Sequence, residues 1–418
     1  MALPEELSGR GSLSGRDRRI TIAFDTGPLD SIYRNQGIAV YARTLLAYFR
    51  EMAPDYGVTV SPFVSPRAEN DANAFAPGPG FVPVNARWLH SHRAWRYGGA
   101  WLATRRLRPD VVFSPSFSTL QFPSGAARVV TLHDATPFIM PNFAPLKVIR
   151  KMRFALKHAV RNSDRIITIS RCSQSDLARV FGIPASSISV IYSGYDAVRF
   201  NTEATDAAQR QALSARFGLE RPYIFHHGFI QPRKNLSRLV QAFRLLAARD
   251  SAAKVDLVLA GGLGWRSEEL RAEAEAAGSS RGRVLLTGPL SDSDLAVMIK
   301  GSALVVIPSL YEGFCLPLLE AMACGVPVIA SAASCMREIS GDVLRYFDPE
   351  SVEEIAANMK EALEDAALRR ELAERGLARA REFSWRRCAE DTLALLKESA
   401  PNPEARAVAE GNRAGRRL

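Results

Sequence analysis

The chain has 418 residues, of which 47% are apolar and 23% are charged, and this composition is that of a folded protein with a substantial core. At about 150 residues per domain, the length predicts two or three domains. A small disulfide scaffold, an intrinsically disordered chain and a coiled coil are excluded. The 54 basic residues exceed the 44 acidic ones, and the net charge of +10 suits an anionic partner such as a nucleotide-sugar phosphate, a membrane surface or a nucleic acid.

The sequence carries no sign of a membrane span, a secretory signal or a metal site. No stretch approaches the roughly 18 uninterrupted apolar residues that cross a bilayer, and the polar start, MALPEELSGRGSLSGRDRR, lacks the apolar block of a signal peptide. The cysteines are odd in number, with no C-x-x-C pair and no histidine at zinc-ligand spacing. They are Cys172, Cys315, Cys324, Cys335 and Cys388. We therefore expect a reduced, metal-free, cytoplasmic protein.

Short β-rich runs alternate with helical patterns along the chain, which is typical of parallel α/β sheets. In the first half these runs are ITIAF at 20–24, VTVSPF at 58–63, DVVFS at 110–114, RVVTL at 128–132, RIITI at 165–169 and ISVIY at 188–192. Residues 196–222 are polar and rich in alanine, and they interrupt the pattern. It then restarts with PYIFHH at 222–227, VDLVLA at 255–260, RVLLTG at 283–288, ALVVIP at 303–308 and VPVIAS at 326–331.

This pattern predicts an α/β protein with two doubly wound, Rossmann-like domains, which we place at 19–200 and 201–383. A late helix that FSW opens at 383–385 extends over 384–399. The two ends, 1–18 and 400–418, have the polar, Arg-, Gly- and Pro-rich composition of disordered tails.

The stretch at 303–331, ALVVIPSLYEGFCLPLLEAMACGVPVIAS, combines a buried strand, a loop and a short helix. The strand ends at Pro308, Pro317 suits the first residue of the helix, and Gly325 suits its end. The start of the helix then lies at the carboxyl edge of the sheet, where open α/β proteins bind ligands, and its free backbone N–H groups face an anion. These are the N–H groups of Phe314, Cys315 and Leu316.

Two carboxylates accompany this helix, Glu312 in the loop and Glu320, which we place in the first helical turn facing the same crevice. The alternative is structural: Glu320 complements the helix dipole and Glu312 is a solvated loop residue. The string EGFCLPLLE, however, resembles the E-x7-E motif of retaining GT-B glycosyltransferases, in particular glycosyltransferase family 4. This resemblance implies that Glu312 binds the donor-sugar hydroxyls and steadies positive charge on the anomeric carbon, while Glu320 binds the ribose. The family usually has glycine where this chain has Cys315, a departure that narrows the donor pocket.

A second segment, PYIFHHGFIQPRKNLSRLVQAF, reads as a strand, a loop and an amphipathic helix. Asn235 is a natural N-cap for that helix. Arg233 and Lys234 are cations at a helix start, where the helix dipole disfavours positive charge unless an anion lies between the cations and the helix. The alternative is that the two residues form a solvated basic turn. The family places a basic pair here on the donor pyrophosphate, which implies that role for Arg233 and Lys234.

In the first half, TLHDATPF at 131–138 resembles the family's H-D-x-x-P segment, which implies that His133, and with it Asp134, faces the donor sugar. The segment NQGIAVYARTLLAYF resembles the G-I-G-x-Y loop and first helix, so Gly37 would let the backbone approach the donor phosphates. A structural histidine and a plain glycine turn are the alternatives.

Asp292 and Asp294 in SDSDLAVMIK have the D-x-D spacing that holds a metal in another glycosyltransferase fold. We interpret them instead as acidic residues in a first helical turn, with Ser291 as the N-cap. No metal or other cofactor is expected, since the nucleotide sugar is the donor substrate.

The resemblance covers nearly the whole chain between the tails, and it implies a retaining, metal-independent glycosyltransferase. Such an enzyme moves a sugar, with mannose from GDP-mannose as the first hypothesis, to an acceptor hydroxyl in polysaccharide or glycolipid synthesis. Two alternatives remain: a GT-B nucleotide-sugar epimerase, and a basic nucleic-acid-binding protein, for which no helix-turn-helix, zinc or RNP signature is present.

The segment at 87–108, RWLHSHRAWRYGGAWLATRRLR, contains three of the five tryptophans and six arginines without an acidic residue. Aromatic residues with arginine suit an anionic membrane surface, although tryptophans packed in the core explain them equally well. A second basic run in the same domain consists of Lys147, Arg150, Lys151, Arg153, Lys157, Arg161 and Arg165. We expect peripheral docking on the inner face of the cell membrane, close to a carbohydrate or lipid-linked acceptor, and no nucleic-acid partner.

Overall fold

Two parallel sheets, one in each half of the chain, organise the protein. A computed structural model describes residues 19–30, 37–64, 77–82, 84–85, 107–117, 125–248, 254–264, 267–276 and 282–401. The predicted tail at 1–18, residues 402–418 of the predicted tail at 400–418, and nearly all of the Trp/Arg segment at 87–108 lie outside these ranges. Within the described residues, no helix is both long and apolar enough to cross a bilayer.

The first sheet has seven strands. They are β1 (Ile20–Asp25), β2 (Val58–Val64), β3 (Val84–Asn85), β4 (Val111–Ser114), β5 (Ala127–Thr131), β6 (Arg165–Thr168) and β7 (Ile188–Val190). Their spatial order is β3-β2-β1-β4-β5-β6-β7, and β1 therefore lies between β2 and β4. The helices described in this half are α1 (Gly37–Met52), α2 (Thr136–Ile139), α3 (Leu146–Asn162) and α4 (Arg171–Phe181).

The second sheet has six parallel strands. They are β8 (Tyr223–His227), β9 (Asp256–Ala260), β10 (Val284–Gly288), β11 (Leu304–Ile307), β12 (Val328–Ser331) and β13 (Arg345–Phe347), in the spatial order β10-β9-β8-β11-β12-β13. On β8, Ile224 is in register with Leu257 on one side and with Leu304 on the other. The strand order reverses between β8 and β11, which opens a crevice at their carboxyl ends.

Nine helices are described in the second half. They are α5 (Ala207–Phe217), α6 (Leu236–Ala247), α7 (Ser267–Glu275), α8 (Asp292–Lys300), α9 (Leu316–Ala323), α10 (Met336–Ser340), α11 (Val352–Glu364), α12 (Ala366–Ala380) and α13 (Trp385–Ser399). On α6, the residues spaced three and four apart, such as Leu239, Val240 and Phe243, are fully or almost fully buried against the sheet.

The fold-class prediction is confirmed, and each of the eleven predicted strands is present within two residues of its expected bounds. Two strands, β3 and β13, were not predicted from the sequence, because runs of two and three residues are too short to show a period. The polar break at 196–222 contains helix α5, of which only Leu213 is buried, so its apolar face is too narrow to reveal it.

Helix α13 returns from the second half of the chain to pack on α1. The ring of Trp385 contacts the edge of Tyr41 with centroids 5.9 Å apart, and Arg386 pairs with Glu51 at 2.5 Å. Further along, Lys397 Nζ donates to the carbonyl oxygen of Tyr56 at 2.7 Å. These contacts hold the C-terminal helix against the first sheet's domain.

Candidate active site

The loop between β11 and α9 places Glu312 in a buried cluster of polar groups, and only 5% of this residue is exposed. Its Oε1 accepts hydrogen bonds from Lys234 Nζ at 2.6 Å and Ser309 Oγ at 2.8 Å, while Oε2 pairs with Arg233. Its backbone N–H donates to Ser334 Oγ at 2.9 Å. The carboxylate is therefore fixed between two cations from the β8–α6 connection.

These charges determine the ionisation of the cluster. Burial alone would raise the pKa of Glu312, but Arg233 and Lys234 outweigh it and lower the pKa to about 2. Burial likewise opposes the charge of Arg233, yet Glu312 and Asp134 more than compensate and raise the pKa of that guanidinium. Glu312 and Arg233 are therefore both ionised at neutral pH, and the single glutamate lies between the side chains of Arg233 and Lys234.

The backbone of the β8–α6 connection positions the two cations. Pro232–Lys234 forms a single turn of 3-10 helix, and Arg233 Nη1 donates to the carbonyl oxygen of Tyr311 at 3.0 Å. The N–H of Leu310 donates in return to the carbonyl oxygen of Arg233 at 2.8 Å. Two reciprocal hydrogen bonds thus join the basic turn to the loop that carries Glu312.

Asn235 occupies the N-cap position of α6, but its side chain makes no capping hydrogen bond, so the predicted capping role is wrong. The residue adopts a left-handed conformation with φ of 60°. Its Nδ2 donates to the carbonyl oxygens of Pro308 at 3.1 Å and Pro349 at 2.6 Å. The amide therefore fastens the basic turn to the carboxyl end of β11.

Helix α9 begins at Leu316, so Pro317 is its second residue rather than its first. Glu320 consequently lies in the second turn, and its predicted place in the first turn is wrong. The helix N-terminus still has free donors: the first N–H groups of this segment donate to no acceptor among the described residues. They are those of Phe314, Cys315 and Leu316.

Cys315, at the N-cap of α9, has a φ of 69°, a conformation that only glycine adopts without strain. This explains physically why the family usually has glycine at this position. The Cys315 side chain is buried, and burial raises the pKa of its thiol to about 12. The thiol is therefore a neutral, space-filling group beside Glu312.

Glu320 has an environment opposite to that of Glu312. Burial raises its pKa to about 7, against the opposing effect of Arg199. Its Oε2 lies 3.7 Å from His227 Nε2, but burial lowers the pKa of His227 to about 3, so this contact is not an ion pair. The structure therefore gives the two glutamates of the E-x7-E string different charge states near neutral pH.

The Glu312 loop contacts the first domain at Gly313. A Cβ atom there would lie 2.7 Å from the carbonyl oxygen of His133 and 3.1 Å from the Cβ of Asp134, so no side chain fits. Ser170 Oγ donates to the carbonyl oxygen of Gly313 at 2.6 Å, and Ser173 Oγ donates to that of His133 at 2.9 Å. The predicted residues His133 and Glu312, 179 positions apart, are thereby brought to neighbouring segments.

His133 is buried, with 8% exposed, and its Nε2 lies 2.9 Å from the carbonyl oxygen of Pro115. Because a carbonyl only accepts, Nε2 carries the proton, and Nδ1 is the acceptor in the neutral ring. Burial lowers the pKa of His133 and keeps the ring neutral. Asp134 Oδ1 accepts the backbone N–H of Thr136, two residues further on, at 2.8 Å.

Gly37 and Phe314 complete the set of predicted site residues. Gly37 starts α1, and a Cβ atom on it would lie 4.0 Å from Leu316 Cδ1, so the starts of α1 and α9 face each other across the two domains. The Phe314 side chain packs with Tyr192 and Phe383, at centroid distances of 6.4 and 5.8 Å. Its backbone faces the loop, but its ring belongs to the core.

Asp292 and Asp294 lie in the first turn of α8, as the helix interpretation predicts. Ser291 Oγ caps α8 by accepting the N–H of Asp294 at 3.1 Å. Asp292 pairs with Arg199 at 3.0 Å, and Asp294 accepts from Gln209 at 3.1 Å. In the described part of the chain, no group of three or more His, Cys, Asp and Glu residues is arranged to hold a metal ion.

The sequence did not reveal the groups that fix the cluster and join the domains. Ser309 lies only three residues before Glu312, a spacing that allows a side-chain contact within one loop. Glu338 of α10 accepts the N–H groups of Arg171 at 2.6 Å and Cys172 at 2.9 Å, at the start of α4, from more than 160 residues away. No local pattern signals such a contact.

Comparisons with known proteins identify relatives over nearly the whole described chain. The family model for "Glycosyl transferases group 1" matches residues 209–379, and that for "Glycosyltransferase Family 4" matches residues 35–199. The O-antigen chain mannosyltransferase B of Escherichia coli is 32% identical over 315 residues, which is 74% of this chain and 78% of that protein. The serotype-specific mannosyltransferase WbdA of Escherichia coli is 30% identical over 302 residues, 68% of this chain but 36% of its own length.

Solved structures share the fold. HepE of Anabaena in complex with UDP-glucose superposes with a TM-score of 0.70 at 19% identity, over 91% of this chain and all of that one. WaaG, a glycosyltransferase involved in lipopolysaccharide biosynthesis, superposes with a TM-score of 0.63 at 14% identity, over 90% of this chain and 99% of that one. At these identities the likeness establishes the two-domain GT-B architecture.

Proposed function

The chain belongs to the group 1 glycosyltransferases of family 4, and from that membership we propose that it is a retaining enzyme that transfers mannose from GDP-mannose to an acceptor hydroxyl in polysaccharide or glycolipid synthesis. Relatives named as mannosyltransferases, at 32% and 30% identity, support the choice of sugar. The observation that carries the proposal is the buried cluster of Arg233, Glu312 and Lys234 at the carboxyl ends of β8 and β11.

In this proposal the cluster receives the donor diphosphate. Arg233 and Lys234 carry two positive charges that Glu312 alone does not balance, and charge-assisted hydrogen bonds to phosphate are strong in such a buried position. The free N–H groups at the start of α9 add donors for the same anion. As the bond between the anomeric carbon and the phosphate oxygen breaks, these groups stabilise the charge that grows on the leaving nucleoside diphosphate.

We assign different roles to the two glutamates. Glu312, with a pKa of about 2, keeps its negative charge and meets the positive charge that develops on the anomeric carbon, besides orienting the cations. Glu320 lies further along α9 and accepts hydrogen bonds from the ribose hydroxyls. Its pKa of about 7 means that these hydroxyls are bound best once the carboxyl group has lost its proton.

The first domain supplies the other wall of the site. His133, neutral and with Nδ1 as its acceptor, suits a hydroxyl of the donor sugar, and Gly37 opposite Leu316 leaves room for the phosphates. The new bond joins the acceptor oxygen to the anomeric carbon, and the acceptor proton passes to the departing phosphate. The expected site of this reaction is the cytoplasm, and its charge stabilisation needs no metal.

Slow donor hydrolysis without an acceptor tests this function. We expect the protein to release GDP from GDP-mannose faster than UDP from UDP-glucose, in the presence of EDTA, and proton NMR to detect the α-anomer of mannose first, as retention of the α-linked donor requires. Initial β-mannose would contradict retention. An epimerised nucleotide sugar without GDP release would instead establish the epimerase alternative, and hydrolysis that stops in EDTA and returns with Mg²⁺ would contradict the metal-free assignment.

A further inference from the structure

Helix α3, Leu146–Asn162, presents an unusual combination of charge and apolar surface. Its sequence, LKVIRKMRFALKHAVRN, has six lysines and arginines and no acidic residue. The inner face packs in the first domain through Ile149, Ala155, Leu156 and Ala159, which are buried. The opposite side is therefore a surface on a well-anchored helix.

The outer face is centred on a phenylalanine. Phe154 is 68% exposed, and Leu146, at the first turn, is 59% exposed. At about 100° per residue, five exposed cations lie within about 60° of Phe154 around the helix axis. These are Lys147, Arg150, Lys151, Lys157 and Arg161. We call these five cations, with Phe154 and Leu146, the α3 face.

The cations of the α3 face have no acidic partner among the described residues. Lys147 and Lys151 are one turn apart, as are Lys157 and Arg161, so like charges repel along the helix. The nearest acidic residue along the chain, Asp164, is already bound to Arg128 through the N–H at 2.7 Å. The face therefore carries an uncompensated positive charge around an exposed aromatic ring.

The α3 face is connected to the candidate active site through helix α2. Arg153, on the side of α3, donates from Nε to the carbonyl oxygen of Pro137 at 2.8 Å and lies over the ring of Phe138 at 5.2 Å. Both partners belong to α2, which begins three residues after His133. An object bound at the α3 face is thus one short helix away from the proposed donor site.

We propose that the α3 face docks the protein on an anionic lipid surface, with Phe154 and Leu146 in the interface and the five cations on the lipid phosphates. Cations that surround an exposed aromatic and an aliphatic residue on one helical face match a surface that is anionic outside and apolar beneath. A nucleic acid would also attract the charge, but it offers no apolar layer for Leu146. This docking deepens the proposed function, because it would bring the site to a lipid-linked acceptor.

Co-sedimentation of the full chain with vesicles tests the docking. The vesicles contain phosphatidylcholine, alone or mixed with phosphatidylglycerol. One variant combines Lys147→Gln, Arg150→Gln, Lys151→Gln and Lys157→Gln. The matched control removes four exposed arginines from helices α5, α7 and α12 of the second domain: Arg210→Gln, Arg216→Gln, Arg271→Gln and Arg370→Gln. Both variants lose the same net charge.

We expect the parent to bind the vesicles that contain phosphatidylglycerol and to be released from them by salt. It should not bind vesicles of phosphatidylcholine alone. The partition coefficient of the protein onto the anionic vesicles should fall at least about tenfold in the α3 variant and less than about twofold in the control. Phe154→Ala, an exposed position that the fold does not need, should reduce it several-fold. Equal losses in α3 variant and control, no parent binding at low salt, or binding to duplex DNA in place of vesicles would overturn the proposal.

Donor hydrolysis in solution separates this proposal from the enzymatic one. The α3 variant should release GDP from GDP-mannose like the parent, since none of its four positions lies in the candidate active site. Loss of vesicle binding with intact hydrolysis is the expected pair of results. Vesicle binding without any hydrolysis would overturn the proposed function while leaving the docking in place.

Discussion

Glu312 and Glu320 are eight residues apart, yet their environments shift their pKa values in opposite directions. Two adjacent cations hold the pKa of Glu312 at about 2, whereas burial without a comparable partner raises that of Glu320 to about 7. A charged state costs free energy in a buried place unless opposite charges compensate for it. The pair therefore combines a permanent negative charge with a group that titrates near neutral pH.

Replacing Glu312 by Gln should lower kcat at least about tenfold without weakening GDP binding. The amide keeps the size of the carboxylate and can still accept from Ser309, but it removes the charge that meets the anomeric carbon. Arg233 and Lys234 then lose their counter-charge and become freer to hold the diphosphate. Calorimetry with GDP and steady-state kinetics measure the two effects, and a drop in GDP affinity equal to the drop in kcat would contradict this role.

Affinity for GDP-mannose should rise, by roughly tenfold at most, between about pH 6 and pH 8 as Glu320 loses its proton. The phosphodiesters of this donor do not titrate in that range, so they add no slope. Glu320→Gln should bind GDP-mannose more weakly than the parent at pH 8, and its affinity should not change with pH. Glu312→Gln should keep the pH dependence of the parent, because Glu312 is ionised throughout this range. A slope that persists in Glu320→Gln would assign the titration to another group.

The same ionisation predicts a pH-dependent stability. The pKa of Glu320 in the folded chain exceeds its unfolded value, so the folded state binds more protons between about pH 4.5 and pH 7 and loses stability as pH rises through that window. The Tm of Glu320→Gln, relative to that of the parent, should therefore increase from about pH 5 to pH 8. A difference in Tm that does not change with pH would contradict the raised pKa.

At the scale of the elements, α9 begins from a strained residue. Cys315 has a φ of 69°, which costs an L-residue about 1 kcal/mol, whereas Cys324 at the other end of the helix has a φ of −76°. Cys315→Gly should therefore leave the free energy of unfolding within about 0.5 kcal/mol of the parent, while Cys324→Gly, with no strain to relieve, should lower it by about 1 kcal/mol. Urea denaturation compares the two, and equal losses would show that φ is not the cause.

Patterns within one element were predictable from the sequence, and contacts between elements were not. The apolar runs identify β8 and β11, and the charges of Arg233 and Lys234 beside a helix start indicate an anion site. The capping expectation for Asn235 failed because its Nδ2 donates to the carbonyl oxygens of Pro308 and Pro349, more than 70 residues away, and its Oδ1 accepts from Arg238 Nη1 instead of a backbone N–H. Tertiary contacts of this kind override local preference.

The first residue of helix α9 was also not predictable from the sequence. Proline is tolerated at either of the first two helical positions, so Pro317 alone does not fix the boundary, and a shift of one residue moves Glu320 into the second turn. Arg233 and Lys234 pair with Glu312 across the folded crevice. The sequence places them on separate segments, 78 and 79 residues apart, without a signal that they meet.

At the scale of the whole molecule, Glu338 joins the two domains. Its carboxylate accepts two backbone N–H groups at the start of α4 and the hydroxyl of Tyr192 at 2.9 Å. Because an anion at a helix N-terminus is favoured by the helix dipole, Glu338→Gln should lower the free energy of unfolding by about 1 to 3 kcal/mol.

Glu361→Gln is the matched control for this substitution, since Glu361 pairs with Arg345 on an exposed surface and should change stability by less than about 1 kcal/mol. Urea denaturation compares both variants with the parent. Equal effects would mean that Glu338 contributes no more than a surface charge, and the domain contact would then depend on Gly313 and its serine donors.

The central claim is that Arg233, Glu312 and Lys234 form the diphosphate site of a nucleotide-sugar transferase, and calorimetric titration of GDP tests it most directly. We expect the parent to bind GDP in EDTA and Lys234→Ala to bind it at least about tenfold more weakly, since a charge-assisted hydrogen bond contributes about 1.5 to 3 kcal/mol. Lys360→Ala, which removes a half-buried lysine of α11, should bind GDP like the parent. Equal GDP affinity in the parent and a folded Lys234→Ala would contradict the account.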